Sequence, residues 1–83
     1  QMYDMPEGAF VIRVEKNSAA GKAGIQKGDI IVSFDGQTVS GKDDLESKLA
    51  YYASGETVDV VVSRADNGEY VQKTISVTLG SKN

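Results

Sequence analysis

Residues 17–36 read NSAAGKAGIQKGDIIVSFDG, and three turn signals punctuate this one stretch. Asn17 or Ser18 offers a side-chain oxygen to cap a very short helix over residues 19–23. Gly24 stands where that helix must turn left-handed, which glycine does without a Cβ clash, and Ile25 is placed to pack back on the cap. Lys27-Gly28 makes the next turn, and Asp29 leads into residues 30–34. That apolar run is too short for a helix and is bounded by turns, so it reads as a buried strand. Asp35-Gly36 is a tight hairpin signal leading into a short strand over residues 37–39. Gly24, Gly28 and Gly36 are expected to serve the backbone rather than a ligand. Asp29 and Asp35 are expected to accept turn N–H groups.

Upstream, residues 10–15 alternate. The period of two puts Phe10, Ile12 and Val14 on the core face of a half-buried strand, with Val11, Arg13 and Glu15 opposite. Downstream, residues 40–55 read as the one long helix. Ser40 is its expected cap, Asp43 and Asp44 suit the positive end of its dipole, and Gly55 ends it. Leu45, Leu49 and Tyr52 form a core-facing stripe, with Asp44, Lys48 and Tyr51 in the stripe beside it. Val58, Val60 and Val62 alternate along the next strand. Asn67-Gly68 signals a hairpin, and the return strand puts Val71, Lys73, Ile75, Val77 and Leu79 on one side. Lys73 is expected where this hairpin projects beyond the core. Residues 1–7 read as a lead-in from an upstream chain, 8–79 as the domain and 80–83 as a polar tail. The order gives an α+β fold, mainly β: a partly open antiparallel barrel or sandwich of about five strands, with one short and one long helix.

Composition narrows the chemistry. Eighty-three residues suffice for one small domain with a thin core. The chain has no histidine and no cysteine, which removes disulfides, a Ser-His-Asp triad, histidine-bearing zinc sites and histidine acid–base work. Its serines have no base to activate them. Asp43-Asp44 and the turn carboxylates are too sparse for a calcium loop, and no phosphate-loop motif follows Gly8. No metal and no cofactor are expected. A net charge of −3, with the Lys and Arg residues scattered, speaks against nucleic acid. No apolar run reaches the roughly 18–20 residues of a membrane span, so direct membrane insertion is not expected. No signal peptide stands in the sequence, and any targeting segment is expected in a longer parent chain.

The order of elements and its marker residues resemble a PDZ domain. The markers are Ser18-Ala19-Ala20, Ala23-Gly24-Ile25, Gly28-Asp29-Ile30-Ile31, Asp35-Gly36 and Gly55-Glu56-Thr57-Val58. With Gly8-Ala9-Phe10-Val11 ahead of them, the likeness is strongest to the PDZ domain of bacterial HtrA-type serine proteases, and it runs from residue 8 to about 79. The resemblance implies a non-catalytic module that captures polypeptide C-termini or unfolded segments by β-augmentation, beside a loop of N–H groups that holds a carboxylate. It implies a separate protease domain in the parent and an extracytoplasmic location. It places Gly8, Ala9, Phe10, Val11, Lys48, Tyr51 and Asp44 as candidate peptide-binding residues. The bland alternative for Asp44 and Lys48 is an ordinary i, i+4 ion pair on a solvated face. In that family the carboxylate loop is a hydrophobic-Gly-hydrophobic motif roughly twenty residues before the Gly-Ala-Phe-Val strand, and no such motif stands here. Either the loop and the strand that receives the peptide belong to the upstream chain, or residues 8–11 play the loop. The core alternation from Phe10 to Val14 favours the first. Two other readings stay open: an assembly domain that pairs through the exposed edge of residues 8–14, and the PDZ module of a site-2, C-terminal-processing or Lon-like protease.

Overall fold

In the computed structural model, which describes residues 7–80, the chain is built outward from the stretch just quoted. Ser18 caps a helix over Ala19–Ala23 (α1), and its Oγ accepts the Gly21 N–H at 3.1 Å. Gly24 ends it at φ 101°; its N–H and that of Ile25 both return to the Ala20 carbonyl. Strand β1 is Ala9–Phe10 and strand β2 is Ile30–Phe34. Asp35 and Gly36, with φ of 52° and 79°, form a two-residue turn into β3, Gln37–Thr38. Helix α2 is Lys42–Leu49, and the long strands β4 (Thr57–Asp66) and β5 (Glu69–Thr78) complete the order. Asn67-Gly68 forms the second such turn, between Asp66 and Glu69.

The five strands make one antiparallel sheet in the order β1-β2-β4-β5, with β3 on the side of β2. This is the expected mainly β architecture with two helices. Val58, Val60 and Val62 face inward, and with Phe34, Val39, Ile25 and Val77 they form the core. The period of two therefore holds through β4. A bulge between Ile31 and Ser33 leaves Val32 outside the β2–β4 pairing. The Val32 carbonyl instead accepts the Val39 N–H at 3.0 Å, which seats fully buried Val39 just ahead of α2. Val71 and Lys73 are exposed on β5, where Lys73 stands alongside the core, opposite fully buried Val62 of β4.

Four local expectations are corrected. The first strand is two residues long, and its phase is opposite to the one read from the alternation: Ala9 is buried, while Phe10 and Ile12 are 54% and 72% exposed; only Val14, beyond the strand, packs against the core as read. The cause lies at Gly8, where a Cβ would stand 2.3 Å from the Ile31 carbonyl oxygen. Glycine lets the two backbones close up, the register Ala9↔Ile31 follows, and a one-residue shift turns every side chain to the other face. Second, α2 is shorter than residues 40–55. It starts after Gly41, because Ser40 does not cap it: the Ser40 N–H donates instead to Asp44 Oδ2 at 2.9 Å. Third, β3 stops at Thr38 rather than 39. Fourth, the Asp35 carboxylate accepts no turn N–H; it accepts the Tyr52 hydroxyl at 2.6 Å. The lead-in and the tail fall outside the described residues, apart from Glu7 and Gly80.

Asp29 does accept a turn N–H, from Gln26 at 2.9 Å. Its larger partner is Arg64 on β4, which no local pattern announced. Arg64 Nε and Nη2 donate to the two carboxylate oxygens at 2.8 and 2.7 Å, and Nη2 also donates to the Gly24 carbonyl at 3.0 Å. One guanidinium thus ties the end of α1, the 26–29 turn and the sheet together. Burial pushes the Asp29 carboxyl up, but Arg64 and the Gln26 N–H outweigh it and hold the group below the usual carboxylate range.

Candidate binding cleft

Two separate recesses contain the residues singled out from the sequence, except Gly8, which lines neither. The first lies between the β1 edge and α2. Residues 9–15 form one wall, Lys42, Leu45, Glu46 and Leu49 form the other, and Ala20, Ile25 and Ile31 lie at the floor. Among the described residues, β1 is an outer strand of the sheet, paired only with β2. Val11 spends both its backbone groups on the β2 side: its N–H donates to the Asp29 carbonyl, and its own carbonyl accepts the Gly28 N–H, both at 2.8 Å. By the alternation of an antiparallel strand, the N–H and C=O of Phe10 then point to the open side. An open edge of this kind is a template for another strand. Of residues 8–11, Ala9–Phe10 is a strand and the Val11 N–H is committed to the Asp29 carbonyl.

Beneath α2, an apolar cavity of about 190 Å³ shares Ala20, Ile25, Ile31, Leu45 and Leu49 with the cleft. No residue of α2 is fully buried. The helix rests over this space on Leu45, which packs against the core from its edge, while Leu49 lines the space and is 37% exposed.

The second recess holds Asp44, Lys48 and Tyr51, together with Gln37, Ser47 and Tyr52. The structure brings these three candidates together but sets them apart from Gly8, Ala9, Phe10 and Val11. The reason is helical geometry: positions 44 and 48 lie about 100° around the α2 axis from 45 and 49, and the side nearest β1 is that of Leu45 and Leu49. Lys48 Nζ stands 2.9 Å from Asp44 Oδ1, so the ammonium is already paired. Lys48 and the Ser40 N–H together hold the Asp44 carboxyl below its usual range. Tyr51 is 87% exposed. Tyr52 stands edge-on to Phe34, ring centroids 5.0 Å apart. The hydrogen bond to Asp35, with burial and the same negative charge, raises the Tyr52 hydroxyl above its usual pKa. Among the described residues, no group of His, Cys, Asp and Glu could hold a metal ion, and no helix is long and apolar enough to cross a membrane.

Sequence reasoning missed the α2 wall of the cleft. Leu45 and Leu49 were visible as an apolar stripe, but a stripe at the edge of a thin core serves core and cleft at once. Only the placement of β1 shows which.

Comparison with known proteins agrees with this architecture. The family model of the PDZ domain matches residues 1–79. The chain belongs to the PDZ domain family. Its curated relatives include proteins named probable periplasmic serine endoprotease DegP-like. One from Brucella suis is 36% identical over 76 residues, covering 92% of this chain and 15% of the relative. One from Marinomonas sp. is 38% identical over 79 residues, covering 95% and 16%. This PDZ domain thus spans about 15% of the length of these relatives. Among solved structures, the HtrA-type protease AlgW with decapeptide superposes with a TM-score of 0.66 at 28% identity, over 87% of this chain and 22% of that one. A solution structure of GtR34C from Geobacillus thermodenitrificans, 24% identical, shares the fold with a TM-score of 0.68 over 89% of this chain and 79% of that one.

Proposed function

We propose that this PDZ domain is a non-catalytic recognition module of an HtrA-type serine protease. It takes up an extended polypeptide segment, a C-terminus or an unfolded stretch, in the cleft between β1 and α2. The observation that carries this reading is the β1 edge, with the backbone of Phe10 directed to the open side, facing Leu45 and Leu49 across an apolar floor. Main-chain bonds to the edge supply affinity, and every second side chain of the segment points to the floor. The HtrA-type relative solved with a decapeptide supports the same reading. The protease domain of the parent is the partner in cis, and the relatives named periplasmic support a place in the cell envelope. Phe10, Ala9 and Val11 supply the strand and Gly8 seats it, while Leu45 and Leu49 supply the apolar wall. Asp44, Lys48 and Tyr51 border a different recess and contribute only to a segment that wraps around α2.

The test is an NMR titration of the 83-residue chain with decapeptides of alternating Val and Ser, with free or amidated C-termini. Shifts at residues 9–14, 45 and 49 are expected with both. Shifts confined to residues 37, 48 and 51 would move the site to the other recess. A requirement for the free carboxylate would show that an anion-binding group of this chain takes part.

A second reading has its own observation. The exposed Phe10 and Ile12 lie along the open edge, which suits pairing with a second copy of the chain. Sedimentation that changes with concentration, and is abolished by Phe10→Lys, would favour it.

A further inference from the structure

We propose that the hydrogen bond from Tyr52 to Asp35 is a latch that positions α2 for the cleft, so that two residues outside the cleft set the affinity within it. This rests on the peptide-capture reading above. Helix α2 is the outer wall of the cleft, yet none of its residues is fully buried and an apolar cavity lies beneath it. It therefore depends on its ends. At the N-terminal end, Val39 is buried and the Ser40 N–H is held by Asp44. At the C-terminal end, the backbone turns on through Ala50, whose N–H bonds to the Glu46 carbonyl, and through Tyr52, whose N–H bonds to that of Leu49. Tyr52 then reaches the sheet: its ring meets Phe34, and its hydroxyl donates at 2.6 Å to Asp35 on the β2–β3 turn while Gln37 Nε2 approaches the same oxygen at 3.5 Å. The hydroxyl–carboxylate bond is short and charge-assisted, and it spans 17 residues of sequence. Leu49, three residues before Tyr52, is a cleft residue, so the latch and the wall share one turn of backbone.

Two variants remove the bond without dismantling the site. Tyr52→Phe keeps the ring against Phe34. Asp35→Gly removes the acceptor at a left-handed turn position, φ 52°, which glycine adopts without strain. In the peptide-free protein, amide hydrogen exchange at residues 45–50 is expected to quicken about three- to tenfold in either variant, with exchange in the middle of β4 unchanged. Binding of a fluorescent decapeptide of alternating Val and Ser is expected to weaken by a similar factor, mainly through faster dissociation. The double variant is expected to be no worse than either single one, as for two ends of one bond. Unchanged exchange in α2 overturns the latch itself. Faster exchange with unaltered affinity overturns its coupling to the cleft, as do additive effects in the double variant. A wild-type chain that binds no decapeptide overturns the peptide-capture reading and the coupling that rests on it, a result the exchange measurement on the free protein keeps separate from failure of the latch.

Discussion

Replacing Arg64 by Met tests the tie between α1 and the sheet. The side chain keeps its length and its apolar stem and loses the fork that holds Asp29. Asp29 is 1% exposed and would keep only the Gln26 N–H, while the Gly24 carbonyl would lose a donor. Breaking a buried ion pair from one side costs about 3–5 kcal/mol, because the remaining charge is stranded. The Arg64 end of the pair is 21% exposed, and water can reach it, so the lower figure of about 3 kcal/mol applies. A domain of this length has a total stability of about 4–12 kcal/mol. Thermal unfolding should therefore fall by about 12–24 °C at pH 7, given roughly 4–8 °C per kcal/mol at this size. The dependence on pH has a definite sign. The folded Asp29 carboxyl lies below the unfolded value, so its stabilisation is present above about pH 4 and is lost as the pH falls through the folded value. In the variant the lowering by Arg64 is gone, and burial, the largest influence on the carboxyl, is opposed only by the Gln26 N–H and the Lys73 charge, so the carboxyl rises and protonation relieves the stranded charge. The gap between wild type and variant should therefore narrow as the pH drops toward 3. Asp29→Asn should rescue part of the loss in the Arg64→Met background. A drop of less than about 3 °C, or a gap that widens in acid, would refute the reasoning.

Phe10→Ser should leave stability within about 0.5 kcal/mol of wild type, since the ring is mostly solvent-exposed, yet weaken decapeptide binding; urea denaturation and fluorescence anisotropy measure the two. A core phenylalanine would instead cost about 3–5 kcal/mol, the value expected for Phe34→Ala. Gly21→Ala should destabilise by about 1–3 kcal/mol although alanine favours helix, because its Cβ would stand 2.2 Å from the Glu15 carbonyl oxygen, and backbone cannot swing aside; the urea midpoint reports it. Gly8→Ala should free β1 from β2, seen as loss of exchange protection at the Val11 amide, whose bond to the Asp29 carbonyl depends on that register.

What could be read from the sequence followed the range of the interactions involved. Residues 17–36 were legible because Ser18, Gly24, Asp35 and Gly36 act on backbone within a few residues of themselves. The alternation of Val58, Val60 and Val62 was legible because β4 runs through the middle of the sheet, where only one face can point to the core. Residues 9–12 failed that logic. An edge strand has neighbours on one side only, so apolar side chains carry less information about which face is inside. There the phase is decided by the contact of Gly8 with the Ile31 carbonyl, more than twenty residues away. Arg64 and Asp29 are 35 residues apart, and either alone looks like any surface charge.

The same failure bears on function. An edge that buries Ala9 and exposes Phe10 and Ile12 is poorly made as a core strand, since the small side chain points in and the large ones point out. As a receiving strand the arrangement is sensible. The small inward residue lets β1 lie close on the sheet, and the large outward ones offer apolar surface to whatever is laid beside them. The residue pattern that misleads a core-seeking reading is thus the pattern that a strand-accepting edge requires. The prediction for Phe10→Ser separates the two: retained stability with lost binding is compatible only with the second.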